Sequence, residues 1–187
     1  MKRTLVALVE NQPGVLQRVA NLFSRRGFNI ESLTVGTTDT DKISRMTIVI
    51  DGVNTQVEQV IKQLYKLIDV LRVSDVTDDR SVDRELALIK VHATNSSSRA
   101  EIKQLADIFR GKIVDVGNES LIVEVTGDEE KVNSLLQMLR PFGIKEMVRT
   151  GIVAMLRGAG SVNPNPPQIA AQVPSEHELD DAISYSV

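Results

Sequence analysis

Apolar positions along this chain alternate between two spacings, and the alternation runs twice. Residues 4–10, TLVALVE, are a short apolar run of strand length. Residues 14–26 change to helical spacing, with Val15, Val19, Leu22 and Phe23 on one face. Pro13 suits the first turn of that helix, Arg25 and Arg26 suit its last turn, and Gly27 suits its stop. FNIESLTVGTT (28–38) returns to strand character, the TDTD of 38–41 is turn chemistry, and KISRMTIVI (42–50) is a third strand. Asn54 is placed to cap a second helix carrying Val57, Val60, Ile61 and Leu64, and DVLRVSDVT (69–77) closes the unit.

The order then recurs. ELALIKVHA (85–93) is a strand, and Ser98-Arg99-Ala100-Glu101 reads as a capping box opening a helix with Ile102, Leu105, Ala106 and Phe109. Gly111 stops it. KIVDVG (112–117) and SLIVEVTG (120–127) read as a hairpin turned at Gly117-Asn118. Asp128 caps a helix with Val132, Leu135, Leu136 and Leu139, and 144–156 is one closing strand region. The pattern predicts an α+β fold of two tandem ferredoxin-like βαββαβ domains, antiparallel sheets with helices on one face. The expected limits are 1–77 for the first domain, 78–84 for a charged linker, 85–157 for the second domain and 158–187 for an extended or disordered tail. That tail holds four of the six prolines, with one marginal acidic turn of helix expected at 175–183.

Composition narrows the function. A net charge of −3 argues against a nucleic-acid or acidic-membrane surface. The strands lack the aromatics on which RNA-recognition sheets stack bases, so Arg25-Arg26 reads as a helix-dipole partner. With no cysteine there is no disulfide, thiolate catalysis or cysteine-bound zinc. The apolar run in MKRTLVALVE is too short for a secretory signal, and nothing later approaches a membrane span. A cytoplasmic protein is expected.

Chemistry-bearing groups are sparse. His92 and His177 stand apart, with no companion to complete a metal site. Ser96-Ser97-Ser98 lies at a helix start, where capping accounts for it, and no nucleophile or phosphate-loop motif is present. Neither catalytic residues nor metal ligands are expected. There remains NQPGVL (11–16), a polar loop between strand and helix. One reading is a plain connection capped by Asn11 or Gln12. The other is a small-zwitterion pocket. The helix start favours a carboxylate, Gly14 permits close backbone approach, and Asn11 offers an amide oxygen to an ammonium. Val15, Leu16 and Ile30 would wall an aliphatic side chain.

GVLQRVANLFSRRGFNIESLTVG, SRMTIVI, LYKLIDVLRV, IFRGKIVDV and FGIKEMVRTG, in that order and spacing, resemble the regulatory small subunit of acetolactate (acetohydroxyacid) synthase over about residues 2–157. The resemblance implies an N-terminal ACT domain, which senses amino acids, and a C-terminal ferredoxin-like domain. It implies a non-catalytic chain that binds and activates a catalytic large subunit. That partner is expected to carry thiamine diphosphate, Mg and FAD, with no cofactor in this chain. It further implies feedback inhibition by valine or another branched-chain amino acid, and a homodimer formed through ACT domains. Carried over by position, Asn11, Gly14, Val15 and Leu16 would hold the effector from one chain. Asn29 and Ile30 would meet it from the other, with Val35 and Gly36 nearby. A free-standing ACT-type amino-acid-sensing regulator is the alternative. No nucleic-acid or membrane partner is expected.

Overall fold

The structure, a computed structural model, describes residues 2–51 and 54–162. The first unit comprises β1 (Lys2–Glu10), α1 (Val15–Arg25), β2 (Ile30–Thr37), β3 (Ile43–Asp51), α2 (Asn54–Leu64) and β4 (Val70–Asp75). The second comprises β5 (Ser81–His92), α3 (Ser96–Ile108), β6 (Lys112–Val116), β7 (Ser120–Gly127), α4 (Glu129–Leu139), β8 (Ile144–Arg149) and β9 (Val153–Leu156). The antiparallel sheets have equivalent orders, β2-β3-β1-β4 and β6-β7-β5-β8, with β9 paired to the start of β5. The expected pair of βαββαβ units is therefore the observed architecture.

Each sheet buries one face under its helices. Leu5, Ala7 and Val9 of β1 and Met46, Ile48 and Ile50 of β3 meet Val15, Val19 and Phe23 of α1 and Val57, Val60 and Leu64 of α2. Ala87, Ile89 and Val91 of β5 meet Ile102 and Ala106 of α3 and Val132, Leu135 and Leu139 of α4. The unbroken apolar run of β1 has a further cause. Residues Leu5 to Val9 are all fully buried, because β1 is covered on both faces. Val6, on the face away from the helices, packs with Val76, Ala154 and Val162. Ala154 and Val162 thus return to cover the first sheet.

That return revises three expectations. Ser81–Arg84, expected within the linker, extend β5 by pairing with β9, Ser81 opposite Leu156 and Arg84 opposite Val153. Their polar pattern hides a strand held by backbone bonds to a segment some seventy residues away. The single closing strand over 144–156 is two strands broken at 150–152. Gly151 presses there on β2, where a Cβ would come within 2.5 Å of Ser32 Oγ and 2.6 Å of Thr34 Oγ1. Ile152 N–H donates to Ser32 Oγ at 3.0 Å, and Thr34 Oγ1 donates to the Ile152 carbonyl at 3.1 Å. Finally, the start of the expected tail packs on the first domain, since Val162 is buried in a cluster with Val6. The helical turn expected at 175–183 lies outside the described residues.

The helix ends follow capping chemistry, with one shift. Asp128 Oδ1 accepts from Lys131 N–H at 2.9 Å, as the sequence implies. The α3 cap is Asn95 rather than Ser98. Asn95 Oδ1 accepts from Ser98 N–H at 2.8 Å, while Glu101 accepts from Ser97 Oγ at 3.0 Å, so the expected capping box is not formed. Both Asn95 and Ser98 suit an N-cap, and the first of them met along the chain opens the helix.

Candidate functional site

The loop between β1 and α1 is built around Gly14. It is the N-cap of α1 with φ +85°, in the left-handed region where a Cβ is strained. Among the described residues no side chain caps this helix, so the reading of Asn11 or Gln12 as its cap does not hold, and Pro13 lies before the first turn rather than within it. Asn11 is engaged elsewhere. Its N–H donates to the Lys42 carbonyl at 2.8 Å and its Nδ2 to the Asp41 carbonyl at 3.0 Å, which ties the loop to the β2–β3 turn. The amide oxygen has no donor among the described residues.

The uncapped start has an electrostatic consequence. Val15 N–H reaches the Gln12 carbonyl at 3.4 Å and Arg18 N–H the Gly14 carbonyl at 3.0 Å. Leu16 and Gln17 N–H have no partner among the described residues, and no acidic side chain lies in the first turn. The positive end of the helix is left uncompensated, the condition that favours an anion. Arg18 adds to it. A Cβ on Gly14 would lie 3.1 Å from Arg18 Nη1, so this guanidinium flanks the loop. Its Nε pairs with Asp69 Oδ2 at 2.7 Å, and Asp69 is buried. Sequence reasoning passed over Arg18. The available signal was a basic residue in the first helical turn, where the macrodipole disfavours one.

The other expected residues divide by position. Val15 is 3% exposed and packs in the helical core, so it offers the loop backbone rather than an aliphatic wall. Leu16, 45% exposed, presents apolar surface to solvent. Val35 and Gly36 lie near the loop end of β2, since Thr37 stands opposite Ser44 and Glu10 opposite Ile43. Gly36 has open space around its missing Cβ, unlike Gly14. Asn29 is exposed and Ile30 packs partly on the core, both at the far end of β2, where Ile30 stands opposite Ile50. Seven strand positions separate that level from Glu10, roughly 23 Å. One chain therefore does not bring Asn11 and Asn29 together. β2 is an edge strand, with no strand on its outer side among the described residues.

Other candidate chemistry resolves into structure. The described serines near Asn95 serve the α3 start, Ser98 Oγ donating to the Asn95 carbonyl. Among the described residues no three His, Cys, Asp or Glu side chains converge as metal ligands, and no helix is long and apolar enough to cross a membrane.

Residues 5–72 match the family described as the AHAS small subunit-like ACT domain, and residues 84–158 match the family described as the small subunit of acetolactate synthase. A probable acetolactate synthase small subunit of Archaeoglobus fulgidus is 61% identical over 158 residues, covering 84% of this chain and 98% of that one. The acetolactate synthase small subunit of Aquifex aeolicus is 53% identical over 156 residues, covering 83% and 81%. The crystal structure of the small subunit from Thermotoga maritima superposes with a TM-score of 0.78 at 44% identity, covering 86% of this chain and 99% of that one. Matches in both halves, and a shared structure across nearly the whole of a relative, place this chain in the acetolactate synthase small-subunit family.

Proposed function

We propose that this chain is a non-catalytic regulatory subunit that docks on the large subunit of an acetolactate synthase in the cytoplasm, activates it, and transmits feedback inhibition by valine or a related branched-chain amino acid. The observation that carries the reading is the start of α1. A left-handed glycine, two N–H groups unpartnered among the described residues and no acidic side chain in the first turn make a seat for a carboxylate. Asn11 keeps an amide oxygen for the ammonium. Exposed Leu16 and Val35 supply apolar surface for a branched side chain. Burying such a side chain contributes about 1.5–3 kcal/mol.

In this reading a second copy closes the seat. Two chains joined along their β2 edges by a two-fold axis run those strands antiparallel, which carries Asn29 and Ile30 of one copy toward the Asn11 loop of the other. The distance separating these residues within one chain supports this arrangement. Thiamine diphosphate, Mg and FAD belong to the large subunit in this reading. The small subunit acts through the docked surface, and a coupling of about 1–3 kcal/mol changes the linked equilibrium roughly 5–150-fold.

Calorimetric titration with L-valine, D-valine serving as control, tests the sensor. Stereospecific binding is expected, at one site per chain. Asn11→Ala and Asn29→Ala are expected to weaken valine inhibition of the reconstituted complex about tenfold or more, with activation of the large subunit retained. Wild-type sensitivity in both variants would remove the site.

A further inference from the structure

The seam between the two domains contains a cleft that the amino-acid reading does not use. Its smaller lobe, about 260 Å³, is lined by Glu31, Leu33, Glu85 and Arg149 among others. Its larger lobe, about 680 Å³, opens between β1 and α4 and is lined by Asp83, Asp128, Glu129 and Glu130 among others. The lobes share Lys2, Val49, Glu129 and Ile152. Six carboxylates therefore face the cleft against two cations, Lys2 and Arg149.

Both cations are already engaged. Lys2 Nζ lies 2.6 Å from Glu129 Oε1 and 3.1 Å from Glu31 Oε2. Arg149 Nη2 donates to Asn133 Oδ1 at 2.8 Å, and its Nη1 stands 3.7 Å from Glu85 Oε1, beyond hydrogen-bond reach. Glu85 is 5% exposed, and its Oε1 is buried without a hydrogen-bond partner among the described residues. Asp83 Oδ1 is in the same condition. An acceptor buried unmade is costly, which marks both as places where a donor belongs. Burial raises the Glu85 carboxyl above the ordinary range despite Arg149, in keeping with a missing donor.

The two acceptors are two residues apart on β5, so their side chains leave the same face with roots about 7 Å apart. Val49 and Ile152 supply an apolar wall common to both lobes. We propose that the cleft is a seat for a short aliphatic diamine, one primary ammonium on Glu85, the other on Asp83, and the methylene chain along Val49 and Ile152. The net negative lining, six carboxylates against two cations, disfavours a free carboxylate, so an amino acid is a poor occupant. Among the described residues no three carboxylates converge for a metal ion. The seat joins residues of both domains, so its occupant bridges them.

Titration of the full chain with 1,4-diaminobutane at fixed ionic strength tests this. The expected result is saturable binding of one molecule per chain, at least tenfold weaker for 1-aminobutane and unaffected by saturating L-valine. Glu85→Gln and Asp83→Asn are each expected to weaken binding tenfold or more, while Glu101→Gln, of equal charge change on α3, leaves it unchanged. Should Glu85→Gln fail to unfold cooperatively, Asp83→Asn carries the same test. No saturable binding, equal binding of 1-aminobutane, or wild-type affinity in both variants overturns the proposal.

Discussion

Single residues carry the sharpest consequences. Glu85 is the clearest for pH. Its folded-state carboxyl is raised first by burial, and further by Glu129 and Asp128, against the opposing charges of Arg149 and Lys2. Between the unfolded value and that raised value, the native chain holds a proton that the unfolded chain has released. Stability therefore falls as pH rises through this window and stays lowered above it. Glu85→Gln is expected to raise the thermal midpoint at neutral pH and to remove that fall, which a series of melts from pH 4 to 8 would read. Gly151 is held by contact rather than by φ, because its Cβ would strike Ser32 Oγ, Thr34 Oγ1 and the Leu33 carbonyl. Gly14, in contrast, needs its glycine for a positive φ. A sequence shows that both are glycine and does not separate the two reasons.

Elements differ in how their ends are built. α1 closes with Gly27 in the left-handed position, φ +70°. Phe28 N–H returns to the Phe23 carbonyl at 3.0 Å, and the two rings meet edge to face at 6.5 Å. α3 closes by the same bonds one residue out of step. Arg110 takes the left-handed position, φ +51°, and Gly111 N–H returns to the Ala106 carbonyl at 2.7 Å. The sequence reading made Gly111 the stop because glycine usually takes that conformation. Gly111 is instead required by close approach, since a Cβ would lie 2.8 Å from the Glu124 carbonyl. Arg110→Gly is therefore expected to stabilise the chain by about 0.5–1 kcal/mol in denaturant unfolding. At the other end of α3, Asn95→Ala is expected to cost about 1 kcal/mol, and Ser98→Ala distinctly less, because only Asn95 caps. Equal losses would return the cap to Ser98.

At the scale of the whole molecule, the domains are joined more closely than a linker implies. Arg45 Nη2 donates to the Ala154 carbonyl of β9, and Val6, Val76, Ala154 and Val162 form one apolar cluster. Val162→Asp places a charge in that cluster and is expected to cost about 2–4 kcal/mol, read as a lowered denaturant midpoint. An unchanged midpoint would mean that Val162 adds nothing to the joint. Both repeats, their βαββαβ order of elements and their core faces were legible in the sequence, because apolar spacing of two or 3.6 residues is a local record of which face is buried. The Asn11 loop was legible for a related reason: a glycine between a strand and a helical stripe marks a backbone turn. What only the tertiary structure decided is what distant segments do to one another. The continuation of β5 through Ser81–Arg84, the contact at Gly151, the burial of Val162, the roughly 23 Å between the levels of Glu10 and Ile30, and the buried seam oxygens of Glu85 and Asp83 left without a hydrogen bond among the described residues each depend on residues far apart in the chain. Local pattern cannot encode them, because a polar residue reads alike whether it faces water or another domain.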